Sequence, residues 1–241
     1  MNINLKGHVA LVTGAARGLG LHIAEDLAKE GVNICGTDIR VDTLQTEMSR
    51  IASEYNVETL ALECNVGLEE QVKSLVKKIY SKWNRIDILI NNAGIRKVAP
   101  IHEITIETWE ELHSTNLKSQ FLCTREVLNQ GMLQKSEGVI IFISSGSGKV
   151  GEKNGTAYCA SKWGSIGFAE SVAKDLKETK IRVTTVTPGM IWTPMAEESE
   201  VAHMDLEWLD VNEVSDAIIF CIKQDVDTII PELRIYHKAQ V

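Results

Sequence analysis

The chain has 241 residues, 44% of them hydrophobic and 24% charged, and a formal net charge of −8. That apolar share excludes a disordered chain, and the negative balance, with no dense basic run, offers nothing to attract phosphate polymers or anionic lipid. Nucleic-acid and membrane partners are not expected. No apolar run approaches the ~20 residues of a bilayer span and residues 1–7 lack a signal peptide's apolar segment, so the reading is a cytoplasmic protein of one domain, residues 1–241.

Short β-branched runs alternate with longer segments of helical period. Strands are predicted over His8–Thr13, Val32–Asp38, Glu58–Glu63, Ile86–Asn91, Gly138–Ser144, Ile181–Thr187 and Thr228–Ile235. Helices are predicted over Gly18–Glu30, Val41–Tyr55, Leu68–Trp83, Ile106–Leu133 in one or two pieces, Ala157–Glu178 and Val211–Lys223. This alternation is the pattern of an α/β fold, a doubly wound Rossmann domain with a seven-stranded parallel sheet and helices on both faces. Residues 189–210 break the pattern. They join large apolar side chains (Met190, Ile191, Trp192, Met195, Trp208) to the acidic run Glu197-Glu198-Ser199-Glu200, and read as a short lid over a site.

Cys35, Cys64, Cys123, Cys159 and Cys221 are widely spaced with no CxxC pair, so neither a metal site nor a disulfide framework is expected. Cys159 reads as a small core residue, with oxidation sensitivity as the alternative.

The first strand runs into Thr13-Gly14-Ala15-Ala16-Arg17-Gly18-Leu19-Gly20, and a helix begins within the glycines. Backbone without side chains can approach a pyrophosphate there, and the helix N-terminus offers free N–H groups. Eighteen residues beyond Gly20, at the end of the second strand, Asp38 can accept both hydroxyl protons of an adenosine ribose and would repel a 2′-phosphate. This favours NAD. Arg17 and Arg40 could neutralise such a phosphate, so NADP stays open.

Tyr158 and Lys162 are four apart on a predicted helix and share one face. An ammonium beside a phenol favours the phenolate, and the expectation is a tyrosine pKa lowered from ~10 toward working pH, as a general acid/base for an alcohol requires. Ser145 should emerge where the strand before it ends, the side on which doubly wound sheets bind ligands. A tyrosine packed under a surface lysine is the plain structural alternative for the pair.

The ordered set TGAARGLG, Asn91-Asn92-Ala93-Gly94, Ser145, Tyr158-Cys159-Ala160-Ser161-Lys162 and Pro188-Gly189-Met190-Ile191-Trp192-Thr193 resembles the short-chain dehydrogenase/reductase family in its common short form. The resemblance spans residues 8 to 193. It implies hydride transfer between a nicotinamide and an alcohol or carbonyl carbon, with Ser145 donating to the substrate oxygen, Tyr158 moving the proton, Lys162 also reaching the nicotinamide ribose, and Asn116 holding a water that links Lys162 to solvent. Of the cofactor, it implies that Gly14, Arg17, Gly18, Leu19 and Gly20 take the pyrophosphate, Asn65 and Val66 the adenine, Asn92, Ala93 and Gly94 the adenosine side, and Ile191 and Thr193, after Pro188-Gly189, the carboxamide. A homodimer or homotetramer through the helices around Asn116 and Tyr158 is also implied, supported by Phe121, Leu122, Val127, Leu128, Trp163, Ile166 and Phe168. The ending departs from the pattern, with Ile229-Ile230-Pro231-Glu232-Leu233 where a glycine pair is usual. Arg96, Lys149 and Lys153 fall at the expected substrate mouth and suggest an anionic or polar carbonyl substrate, or are simply solvated loop cations. A non-catalytic dinucleotide sensor on the same fold is the rival of another class, and an epimerase or dehydratase is disfavoured by the short C-terminal region.

Overall fold

Alternation along one strand sets the architecture. In β1 (Val9–Thr13), Ala10 and Val12 enter one hydrophobic core, and Val9 and Leu11 enter another on the opposite face. β5 (Glu137–Ile143) repeats the division, with Val139, Ile141 and Ile143 on the first side and Ile140 and Phe142 on the second. A strand buried on both faces needs apolar residues at almost every position, and such strands pair in parallel under two layers of helix.

The computed structural model describes residues 3–200 and 207–240. Within them β1, β2 (Asn33–Asp38), β3 (Thr59–Glu63), β4 (Ile88–Asn91), β5, β6 (Lys180–Pro188) and β7 (Glu232–Ile235) form one parallel sheet in the order β3-β2-β1-β4-β5-β6-β7. The first core is closed by α1 (Gly18–Lys29), α2 (Val41–Tyr55) and α9 (Val211–Ile222), through Ile23, Leu27, Met48, Ile51 and Ile218. The second is closed by α3 (Glu69–Trp83), α5 (Ser119–Val127) and α7 (Thr156–Asp175), through Val72, Ile79, Leu122 and Ala169. The expected fold class is therefore present. From β1 the chain winds outward to β3, then returns to β4 on β1's other side, so connections at the carboxyl ends of β1 and β4 diverge and leave a crevice.

The region expected as one or two helices is three, α4 (Ile106–His113), α5 and α6 (Leu133–Lys135), joined by π-helical turns at Ser114–Lys118 and Leu128–Met132. Widened turns of this kind gather at functional sites, and the first contains Asn116. The last strand is shorter than expected. Pro231 has no N–H for the ladder, and Thr228 closes a turn onto the Asp225 carbonyl at 2.8 Å, so pairing starts at Glu232.

The segment expected to form a lid is described over residues 189–200 and 207–210. Ile191 bridges Leu209 in parallel, the Leu209 N–H donates to the Met190 carbonyl at 2.9 Å, and Trp192 meets Trp208 edge to face at 5.0 Å. α8 (Pro194–Glu197) follows, and residues 201–206 of the expected lid lie outside the described residues. Among the described residues no helix is long and apolar enough to cross a membrane, and no cluster of three or more His, Cys, Asp or Glu side chains could hold a metal.

Candidate active site

The glycine turn is built for close approach. Gly14 and Gly18 take φ of +67° and +59°, where a side chain is strained, and a Cβ on Gly20 would stand 2.2 Å from the Gly14 carbonyl oxygen. α1 starts at Gly18 with no side chain capping its first N–H groups. Uncapped amides at a helix N-terminus, reached over bare glycine backbone, fit a pyrophosphate. Thr193 and Pro194 cover the turn, 3.6 Å from where a Gly18 side chain would begin.

Asn92 and Ala93 brace this turn. The Asn92 amide donates to the Thr13 and Gly14 carbonyls at 2.9 and 3.2 Å, and the N–H groups of both residues donate to the Thr13 hydroxyl at 3.0 Å. Asn92 thus spends its side chain tying the end of β4 to the end of β1. Gly94 lies beside Asn116 and Lys162, where a Cβ would stand 3.3 Å from Asn116 Oδ1 and 3.6 Å from Lys162 Nζ. Thr13 was not singled out from sequence. A hydroxyl ending an otherwise apolar strand, with a buried oxygen needing partners, was the available signal.

Asp38 is buried at the carboxyl end of β2. It accepts from the Ala16 and Arg40 N–H groups at 3.3 and 3.0 Å, with the Arg40 guanidinium at 3.5 Å. Arg17 pairs with Glu198, which accepts from its Nη2 at 2.7 Å and holds the guanidinium pKa above its ordinary value. Asn65 uses its side-chain oxygen to accept from the Gly67 N–H at 3.0 Å, leaving its NH2 free of that turn, and Val66 is buried in the second core.

At the hydride end α7 places Tyr158 and Lys162 on one buried face, with Lys162 Nζ 5.9 Å from the Tyr158 ring centre and donating to the Ile143 carbonyl at 3.1 Å. Ser144 anchors the helix by donating to the Lys162 carbonyl at 3.0 Å, which leaves Ser145 facing the crevice. Ser145 caps the following 3-10 turn, accepting from the Ser147 N–H at 3.2 Å. Asn116, fully buried, accepts from the Ile95 N–H at 2.8 Å and donates to the Ile95 carbonyl and the Ser161 hydroxyl at 3.0 Å. Its carboxamide is therefore committed to positioning, and a solvent relay would have to use its backbone.

One expectation is corrected. Burial pushes the Tyr158 pKa up rather than down, with the neighbouring Ser145 hydroxyl and Arg96 charge pulling the other way. Lys162 shows the same cost of burial from the cationic side, its pKa drawn down to about 8. At neutral pH the ammonium keeps most of its charge, yet burial of the phenol still sets the direction of the Tyr158 shift.

Glu152 also went unread. It accepts from the Ser147 hydroxyl and from Arg96 Nη2, linking the serine loop to the guanidinium that lies 5.7 Å from the Tyr158 ring centre. Gln240 was missed as well. Its amide accepts from the Met190 N–H at 3.0 Å and donates to the Met190 and Glu207 carbonyls at 3.2 and 2.6 Å, tying Met190 to Glu207. No motif announces a glutamine near a chain end, so only the folded contacts could reveal it.

A doubly wound sheet with a glycine cradle at its switch point and a buried tyrosine-lysine pair beside it defines a nicotinamide-dependent oxidoreductase. Residues 8–203 match the profile of the short chain dehydrogenase family, and the chain belongs to that family. Among its relatives, the 3-oxoacyl-[acyl-carrier-protein] reductase of Aquifex aeolicus is 37% identical over 195 residues, covering 81% of this chain and 78% of the relative. That of Vibrio cholerae is 38% identical over 193 residues, covering 80% and 77%. A solved actinorhodin polyketide ketoreductase variant with NADPH superposes with a TM-score of 0.88 at 28% identity, covering 97% of each chain. A metagenomic short-chain oxidoreductase in complex with NADP gives 0.85 at 29%, covering 97% of this chain and 98% of that one. The protein is an NAD(P)-dependent oxidoreductase acting between alcohol and carbonyl groups on small molecules.

Proposed function

We propose that Tyr158 exchanges the proton with the substrate oxygen, Ser145 holds that oxygen, and Lys162 sets the charge beside it while reaching the nicotinamide ribose. The observation carrying this reading is the convergence of the Tyr158 face, the Ser145 hydroxyl and Lys162 Nζ at the carboxyl ends of β4 and β5, next to Gly94. A nicotinamide, when bound, supplies or accepts the hydride. A phenol kept protonated by burial suits the direction in which a carbonyl is reduced, since it holds the proton that the new alkoxide must receive. Asn116 and Ser161 act through Ile95 and Tyr158, fixing the floor of the site. Steady-state reduction and oxidation of a panel of ketones, oxo esters and secondary alcohols, with wild type and Tyr158→Phe, tests the assignment. Loss of turnover in the variant supports it, and undiminished turnover refutes it.

NAD is the proposed cofactor. Asp38 stands where a 2′-phosphate would come, and Arg17 is neutralised by Glu198 instead of being held ready for an anion. NADP is the second reading, favoured by Arg40 beside Asp38 and by the NADPH and NADP named with the two solved relatives. The relatives' names make 3-oxoacyl groups the second substrate reading, beside a small carbonyl compound. We place the chain as one domain, 189–210 as its substrate lid, and the whole in the cytoplasm.

The proposed homodimer or homotetramer rests on fewer side chains than sequence suggested. Leu122, Val127 and Ile166 are core residues, whereas Phe121 and Trp163 are 41% and 51% exposed on α5 and α7. Light scattering at several concentrations, with Trp163→Glu as comparison, tests that part.

A further inference from the structure

Three cations were candidates for the substrate mouth, and their surroundings separate them. Lys149 pairs with Glu232 at 3.0 Å and Lys153 is exposed on its turn. Arg96 leaves the turn after β4 and lies over the Tyr158 ring, its side chain only 17% exposed. Each of its two terminal nitrogens takes a carboxylate, and the two carboxylates differ in kind. Glu152 is built into the loop that carries Ser145: it accepts from Arg96 Nη2 at 3.2 Å and from the Ser147 hydroxyl, and its own N–H meets Cys159 Sγ at 3.4 Å. Glu200 comes from the acidic run of the lid and meets Arg96 Nη1, with half its own side chain exposed.

We infer that Arg96 is the specificity determinant of this site, binding the carboxylate of a small oxo-acid or hydroxy-acid substrate in the seat that the Glu200 carboxylate fills. The inference rests on the redox role proposed for Tyr158. Glu152 holds Nη2, so Nη1 is the nitrogen left to meet a second carboxylate. The seat already accepts a carboxylate, and exchanging that of Glu200 for that of a substrate leaves the local charge unchanged, avoiding an uncompensated buried charge. A guanidinium 5.7 Å from the ring centre puts the acid group only a few bonds from the carbon whose oxygen meets Tyr158. That favours short acids over long acyl chains. Glu200 then acts as a tethered competitor that a substrate carboxylate must displace.

The test compares acetoacetate with acetoacetamide and 4-oxopentanoate with its amide, in steady-state reduction with reduced dinucleotide and in calorimetric binding to the enzyme with oxidised dinucleotide, where no hydride can be transferred to the carbonyl. The expected result is an acid-over-amide ratio of kcat/KM that falls on the order of 100-fold in Arg96→Met, the size of one charge-assisted hydrogen bond in a desolvated place, and partly returns in Arg96→Lys. Glu200→Gln should lower KM for the acids and leave KM for the amides in place. Dinucleotide binding in Arg96→Met, read by nicotinamide fluorescence, distinguishes a specificity effect from failure to fold; if that variant misfolds, the Glu200→Gln shift carries the test. Acids that neither react nor bind better than their amides in wild type, a ratio unmoved by Arg96→Met, an unchanged acid KM in Glu200→Gln, or preference for neutral thioesters or phosphorylated ketones would overturn the inference. Tyr158→Phe separates the two readings: it should stop turnover of acid and amide alike without altering acid binding.

Discussion

Asn116 grips both ends of one residue, accepting from the Ile95 N–H at 2.8 Å and donating to the Ile95 carbonyl at 3.0 Å, just past the turn that carries Gly94. Removing the carboxamide strands two backbone groups and the Ser161 contact in a buried place. Asn116→Leu should cost about 2–4 kcal/mol, the sum of such losses. Urea denaturation of the two proteins measures it, and a cost below about 1 kcal/mol would show that water replaces the amide.

Gly20 is the tightest point of the cradle. A methyl group there would press into the Gly14 carbonyl and into the Asn92 amide, at 2.2 and 2.4 Å, and neither is free to yield. Gly20→Ala should weaken dinucleotide binding at least about 10-fold and lower stability by about 1–3 kcal/mol, in the range of overpacked sites. Gly167, with nothing within 4 Å of an added Cβ, is the internal control, since Gly167→Ala should stabilise α7 by up to about 1 kcal/mol. Equilibrium titration with reduced dinucleotide and parallel melts distinguish the two.

Lys162 makes stability depend on pH in a definite direction. Below about pH 8 the lysine is charged in both the folded and unfolded chain, and the full cost of burying that charge is present. Between about 8 and 10.5 the folded protein has released the proton while the unfolded chain keeps it, so stability rises with pH; above 10.5 the penalty is gone. Lys162→Met should therefore be more stable than wild type at pH 7, by up to about 3 kcal/mol, and the advantage should shrink toward pH 10. Denaturation of both proteins at several pH values checks it, and a gap that widens with pH contradicts it.

How much of this was legible beforehand follows from where the physics is local. The glycine turn, Asp38 and the Tyr158-Lys162 spacing could be read because each depends on neighbours within one strand-turn-helix unit or one helical turn. The direction of the Tyr158 pKa was misread, since burial of both partners is a tertiary quantity that sequence spacing does not carry. Glu152 and Gln240 were invisible, and Thr13 easily passed over, for a related reason: their partners lie in other elements, that of Gln240 50 residues away at Met190. Leu122 and Val127 were read as candidate interface because a helix covering a parallel sheet and packed against other helices shows apolar residues on more than one face.

Gln240 offers a lid without a motif. Gln240→Ala removes three hydrogen bonds that join Met190 to Glu207. The variant should be cleaved in the lid by a broad protease at least about 5-fold faster, with global stability lowered by about 1–3 kcal/mol at most, because only the base of the segment is released. Limited proteolysis with mass mapping reads the first quantity and urea denaturation the second. Cleavage at the wild-type rate would place the clasp elsewhere, for instance in the Ile191–Leu209 bridge.

The account depends most on a proton leaving the Tyr158 hydroxyl as hydride moves. Single-turnover measurement of hydride transfer in Tyr158→Phe, with dinucleotide affinity determined on the same preparation, tests this most directly. The account predicts a rate reduced about 10³-fold, within the span of general acid/base contributions, at an affinity within a few-fold of wild type. Transfer at the wild-type rate by a variant lacking that hydroxyl would contradict it.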